Sequence, residues 1–376
     1  MKKLGIYIHI PFCVKKCGYC DFYSVKWDEE SENSYVRSAI NEIKGYVNIK
    51  DAYLVDTIYI GGGTPSVIMP QNIENLIGAL KNTFTVAENA EISMEANPNT
   101  LTGKLNAYRE SGINRLSIGI QSLNDNILKT IGRVHNSKEA LRAIDSAQKW
   151  GFDNINGDVM FNIPGQTLED IKDTMHQLIG KGIRHISFYS LKLEEGTPMY
   201  SMEKDKEISM PGEDLEREMY YAGREIMENH GLIQYEISNF AFKGYECRHN
   251  LKYWNQEEYL GIGPSAHSFM GNVRYSNPSS LKEYILNGGK EKFQRNIQEV
   301  LNEDELMFEY IMLRLRLTEG LKFAEFKNKY SRDFKETYKE QIDKLLKDNL
   351  IYLDDAGIRL THRGMDISNY VFALFM

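Results

Sequence analysis

The chain has 376 residues, with 53 Asp and Glu against 45 Lys and Arg, for a net charge of −8. That length accommodates two or three units, or one large barrel with an appendage, and the acidic balance argues against a general nucleic-acid binder, which carries a basic footprint. The basic start at Lys2 and Lys3 runs into His9, Pro11 and Cys13 before a secretory core forms, and no apolar run spans a bilayer; a cytoplasmic protein is expected, with peripheral membrane contact allowed.

Residues 4–10 are an apolar run that reads as a buried strand. It leads directly into Cys13, Cys17 and Cys20, three of the four cysteines, spaced C-x3-C-x2-C. Residues 31–47 have helical spacing, and a second strand at 57–60 ends in Gly61-Gly62-Gly63-Thr64-Pro65-Ser66. A helix at 71–84 precedes a third strand at 91–96, closed by Asn97-Pro98, and a helix at 102–111. The fourth strand, 115–122, is followed by helices through 149, and the fifth, 154–161, stops at Pro164-Gly165. A helix to about 180, a sixth strand at 185–191 and a helical stretch at 212–230 complete the series. Strands alternating with helices imply parallel βα units with right-handed connections. Six units are too few for a full eightfold barrel. The expectation is an α/β chain with a partial (β/α)6 barrel, open at one side for a large flat substrate; a doubly wound open sheet is the alternative.

From residue 302 the chain turns helical, with Leu306, Tyr310, Leu313 and Leu317 on one face, a helix at 334–347, a hairpin through 350–360, and a last helix capped by Thr361. This pattern looks like a winged-helix appendage. Such domains often bind DNA, but 14 acidic residues against 12 basic ones here favour docking or a lid. The expected division is 1–231 for the barrel, 232–300 for a connecting segment and 301–376 for a mostly helical C-terminal domain.

Three thiolates on one loop converge on an inorganic centre more readily than on disulfides, because three cannot all pair. A 4Fe–4S cluster normally takes four thiolates, so three leave one iron open for chemistry. Zinc completed by His9 or Asp21 is the competing reading, although no second Cys or His pair stands at finger-like spacing. In parallel barrels, functional groups sit at the C-terminal ends of strands. Gly61 to Thr64, Glu95 and Gln121 fall at such ends, and Asp158 lies within the fifth strand, where an unpartnered carboxylate is costly. Each has a bland reading as cap, loop hydrogen bond or satisfied core acid, but their coincidence at one mouth favours a shared site. Glycines there let backbone approach a ligand, with N–H groups free to grip it.

The triad resembles the signature of the radical S-adenosylmethionine (SAM) superfamily, with Tyr19 as the aromatic before the last cysteine. The resemblance implies a six-stranded partial barrel, a 4Fe–4S cluster on Cys13, Cys17 and Cys20, and SAM chelating the open iron through its amino and carboxyl groups. Matched against similar proteins of porphyrin metabolism, the SAM residues are Tyr7, Gly62, Gly63, Thr64, Glu95, Gln121, Arg133 and Asp158. Asp158 suits a pair of ribose hydroxyls, which a carboxylate accepts; Arg133 otherwise reads as a solvated surface arginine.

A second stretch, Gly244 to Trp254, carries Cys247 and His249 among Tyr253, Trp254 and Tyr259, before the Gly-rich run from Gly261 to His267. It reads either as a satisfied loop histidine in aromatic packing, or as imidazole and aromatic faces holding a haem. His-Asn-x-x-Tyr-Trp resembles the motif of the haem chaperones within that superfamily, relatives of oxygen-independent coproporphyrinogen III oxidase. That resemblance implies haem bound near His249, Tyr253 and Trp254 and passed to acceptor proteins, with membrane-surface acceptors and a homodimer both allowed. His9, His135 and His267 stay open as iron ligands. Against the oxidase, Phe22 stands where its pattern has a further cysteine, and Tyr7 lies close to the start, where the oxidase carries an N-terminal extension. The competing expectation is the oxidase itself, which makes a 5′-deoxyadenosyl radical and decarboxylates coproporphyrinogen propionates.

Overall fold

The computed structural model describes residues 1–288 and 296–376. Its main sheet contains β1 Lys2–Ile10, β2 Tyr53–Gly62, β3 Thr85–Ala96, β4 Arg115–Gln121, β5 Ile155–Phe161 and β6 His185–Ser190. It continues with β7 Ile233–Glu236, β8 Asn239–Ala241, β9 Tyr259–Ile262, β10 His267–Met270, β11 Val273–Ser276 and β12 Asn296–Val300. The spatial order is β12-β11-β10-β9-β1-β2-β3-β4-β5-β6-β8-β7. Strands β1 to β6 are parallel neighbours in chain order. A doubly wound sheet reverses direction at a switch point; here every crossover advances the same way, as in a barrel. No pairing joins β7 to β12 among the described residues, so the barrel is partial.

Alternation along the strands separates core from site. In β4, Leu116, Ile118 and Ile120 are fully buried in the main hydrophobic core, each stabilising the fold by roughly 1.5–3 kcal/mol relative to exposure. Arg115, Ser117, Gly119 and Gln121, on the other face, line a cavity. The same division holds in β5, with Ile155, Val159 and Phe161 in the core and Asn156, Asp158 and Met160 at the cavity. Helices α1 Glu29–Gly45, α2 Pro70–Thr83, α3 Leu105–Ser111, α4 Asp125–Thr130, α5 Ser137–Lys149 and α6 Leu168–Gly180 fill the crossovers. Asn136 with Glu139 and Thr167 with Asp170 form capping boxes that satisfy the first N–H groups of α5 and α6.

Strands β7 to β12, from the stretch 232–300 that was expected as a connector, belong to the main sheet. Strand β9 pairs parallel with β1 on the side away from β2, and β8 closes antiparallel on β6. Local periodicity does not reveal this, because the partners lie more than 200 residues away for β9. The C-terminal region has its own core, including Ile311, Phe326, Phe334, Leu345 and Phe372, under a sheet of β13 Leu321–Lys322, β14 Ile351–Leu353 and β15 Gly357–Leu360. The helix expected at 334–347 is broken at Tyr338 into Phe334–Thr337 and Lys339–Lys347. Thr361 caps as expected, accepting from the Gly364 N–H at 2.9 Å.

Candidate functional site

The loop after β1 is fastened to the strand that follows it in space. Gly63 N–H donates to Ile10 O at 2.8 Å and Thr64 N–H to Phe12 O at 2.7 Å, while the Gly62 N–H donates to Glu95 at 3.1 Å. These N–H groups, Thr64's included, are spent within the protein, so at Gly62 and Gly63 the expectation that glycine N–H groups grip a ligand is not met. The glycines answer to space instead: a Cβ at Gly63 would lie 2.6 Å from Phe12 O, and one at Gly62, where φ is +110°, would lie 2.7 Å from the His9 ring.

Cys13, Cys17 and Cys20 are free thiols lining one cavity of about 530 Å³, which Gly62, Gly63, Thr64, Glu95, Gln121, Arg133 and Asp158 also line. Among the described residues no three His, Cys, Asp or Glu side chains gather closely enough to share one metal ion. Thiols spread around a common cavity fit a cluster, in which each iron takes its own thiolate, better than a zinc tetrahedron. Burial raises the Cys20 thiol pKa, and the neighbouring Cys17 and Cys13 add to it, so the group set is one that a bound cation centre would relieve.

Polar partners hold the strand ends. Glu95 accepts from the Tyr59 hydroxyl at 2.9 Å; burial, then the nearby Asp158, raises its pKa to about 7. Asp158 accepts from Asn156 Nδ2 at 2.7 Å and from the Ser117 hydroxyl at 3.3 Å, and burial raises its pKa too. Gln121 closes β4 with φ of 66° and accepts from the Tyr189 hydroxyl at 3.1 Å. Arg133 is not a solvated arginine: it donates to Asn97 Oδ1 at 2.5 Å, to Gly119 O at 2.7 Å and to Cys17 Sγ at 3.6 Å. Sequence reasoning missed Tyr59, Asn97, Arg115, Asn156 and Tyr189, which also line this cavity. The period-two step back from Gln121 reaches Arg115, and the step back from Asp158 reaches Asn156.

Tyr7 stands apart from this group. With Tyr253, Trp254 and Gly62 it lines a second cavity of about 800 Å³, and its hydroxyl bonds His9 Nδ1 at 3.0 Å. Gly62, Asp21 and Phe22 border both cavities. His249 reaches neither. Its ring is fully buried, with Nδ1 against the Thr57 hydroxyl at 2.8 Å and Nε2 against the Tyr253 hydroxyl at 2.9 Å. Burial, with Lys252 and Arg115 nearby, lowers its pKa to about 3. The helix that carries it, α9 Arg248–Trp254, is pinned by Glu91, which accepts the N–H groups of Arg248 and His249 at 3.0 and 3.1 Å, a carboxylate at a helix start. Cys247 is buried beside Glu91, and burial raises its thiol pKa to about 12. His135 bonds Ile120 O at 3.2 Å and lines neither cavity.

The family model for the radical SAM superfamily matches residues 7–178, and that for the HemN C-terminal domain matches residues 301–367. The coproporphyrinogen III oxidase structure from Escherichia coli superimposes with a TM-score of 0.85 at 22% identity, covering 100% of this chain and 90% of that one; the likeness is one of fold. Fold and site together define a radical SAM protein. The heme chaperone HemW of Lactococcus lactis is 35% identical over 376 residues, covering 100% of this chain and 98% of that protein. Its Escherichia coli counterpart is 32% identical over 381 residues, covering 99% and 98%. The chain belongs to the HemW family.

Proposed function

We propose that the chain binds haem and transfers it to acceptor proteins, holding a 4Fe–4S cluster on Cys13, Cys17 and Cys20 and SAM beside it. The observation that carries the reading is the pair of adjoining cavities: one gathers three thiols and the polar strand ends, and the other is walled by aromatic side chains, Tyr253 and Trp254 among them. Cys13, Cys17 and Cys20 would hold the cluster, which would supply an iron without a protein ligand for SAM to engage. Within the protein, Glu95 accepts from the amino group, Asp158 from the ribose hydroxyls, and Gln121 and Arg133 fix the walls; the glycines keep the loop close to β2. Tyr7 faces the second cavity, so its part in this reading is to border SAM from the haem side.

The same proposal assigns the barrel to 1–231, the strands and α9 between 232 and 300 to the haem cavity, and 301–376 to docking. No helix among the described residues is long and apolar enough to cross a membrane, so delivery to a membrane acceptor takes place at its surface. The test is an anaerobic hemin titration of the cluster-reconstituted protein, followed by mixing with a haem-free acceptor. Saturation near one haem per chain and movement of the Soret signal to the acceptor support the proposal. Failure to saturate, together with turnover of coproporphyrinogen, replaces it with the oxidase reading.

A further inference from the structure

The geometry points to His267 as the side chain that ligates the haem iron, with the macrocycle in the 800 Å³ cavity rather than against His249. The inference rests on the haem-binding reading and assigns the place and the ligand within it. The cavity lies where five elements of the chain meet. Tyr7 and Gly62 come from the ends of β1 and β2, Tyr253 and Trp254 from α9, Phe269 from β10, and Leu313 from α11, Glu303–Arg314. Its volume is within the range of small-molecule sites, and aromatic walls suit a flat apolar ring.

An iron ligand needs a neutral imidazole with one nitrogen free. The chain has eight histidines, and of these only His9 and His267 line the cavity. Both ring nitrogens of His9 are engaged, Nδ1 with the Tyr7 hydroxyl at 3.0 Å and Nε2 with Tyr23 O at 2.9 Å. His249 is buried outside the cavity with both nitrogens engaged as well. His267 is exposed at the start of β10, and its ring makes no hydrogen bond among the described residues. Its backbone is fixed by pairing with Ser276, so the imidazole is held by a strand and left unoccupied at its tip.

Two more features accept the rest of a haem. The Trp254 indole N–H is buried and has no acceptor among the described residues, although the ring lines the cavity; an oxygen-rich ligand would relieve it. Arg274, also in the wall, ion-pairs with Glu309 and donates to the Tyr259 hydroxyl at 3.1 Å. It is a cation placed for a propionate that displaces Glu309. Because Glu309 and Leu313 belong to the C-terminal region, seating haem there touches the barrel and that region at once.

The experiment is an anaerobic hemin titration of the full-length, cluster-reconstituted protein, read by Soret position and ferric electron paramagnetic resonance. His267→Ala, His249→Ala and Leu313→Trp are compared with the unaltered chain. The expected result for His267→Ala is affinity lower by about tenfold or more, a changed ligand signature, and its restoration by added imidazole. Leu313→Trp, which fills the cavity, weakens binding with the signature kept; His249→Ala keeps the signature. Circular dichroism checks that each variant is folded. Unchanged affinity and spectrum in His267→Ala, with hemin bound by the parent, overturn the assignment and leave the chaperone reading standing. Absence of saturable hemin binding by the parent removes both.

Discussion

Glu95 offers a quantitative check on the cofactor cavity. Its carboxyl lies at the end of β3, held by Tyr59 and the Gly62 N–H, with a pKa raised to about 7 by burial and by Asp158. The SAM amino group donates to the carboxylate, so a protein that is mostly protonated at this site must lose a proton to take SAM. Affinity for SAM is then expected to fall about tenfold for each pH unit below 7, or about 1.4 kcal/mol per unit, and to level off above pH 8. In the cofactor-free protein the same shift acts on stability. The folded pKa stands above the unfolded value, so the contribution is full below about pH 4.5 and is lost as pH rises through about 7. That loss is at most about 3 kcal/mol, reduced because the carboxyl borders an open cavity. Glu95→Gln removes both slopes. Calorimetric titration of the cluster-loaded protein with SAM between pH 6 and 8, and urea unfolding of the cluster-free protein at pH 5.5 and 8, read the two effects. A parent whose SAM affinity is equal at pH 6 and 8, or a Gln variant that keeps the slope, refutes the reasoning.

Alanine at Cys13, Cys17 or Cys20 is expected to reduce iron and sulfide well below about four per chain, whereas Cys247→Ala keeps them, because that thiol is buried beside Glu91; elemental analysis decides. Gly63→Ala places a Cβ 2.6 Å from the Phe12 carbonyl oxygen, which costs roughly 1–3 kcal/mol and shifts the root of the cysteine loop. A lowered urea midpoint and poorer cluster retention are expected, and a neutral midpoint contradicts the packing argument. His249→Ala leaves the Thr57 and Tyr253 hydroxyls without their partner and opens a void, costing about 2–4 kcal/mol in unfolding experiments. An unfolding midpoint equal to the parent's would show that the ring is not the anchor its burial implies.

The cysteine triad, the six βα units and the cavity residues Thr64, Glu95 and Gln121 near strand ends and Asp158 within β5 were legible because they depend on local spacing. A strand's period of two assigns each residue to a face without knowledge of its neighbours. Arg133 lines the same cavity, but its anchorage by Asn97 and Gly119 O comes from two other segments of the barrel. The glycine N–H groups read as ligand grips because nothing local says that Ile10 and Glu95 already accept from Gly63 and Gly62.

While the strand order waited on the fold, the sequence alone determined the alternation of apolar and polar faces, the placing of three thiols on one loop and the succession of parallel βα units. Each of these follows from nearest-neighbour stereochemistry and from the right-handed crossover. Tertiary structure alone decided which histidine stays free. His249 and His267 both stand near aromatics in sequence, His267 only by Phe269, yet α9 packs on β2 and β3 and buries the first, while β10 pairs outward from β9 and leaves the second at a cavity wall. It also set β9 beside β1, so that the stretch after residue 232 became a wall of the site rather than a connector. Such pairings join segments far apart in the chain, and their energy lies in contacts that no local pattern encodes.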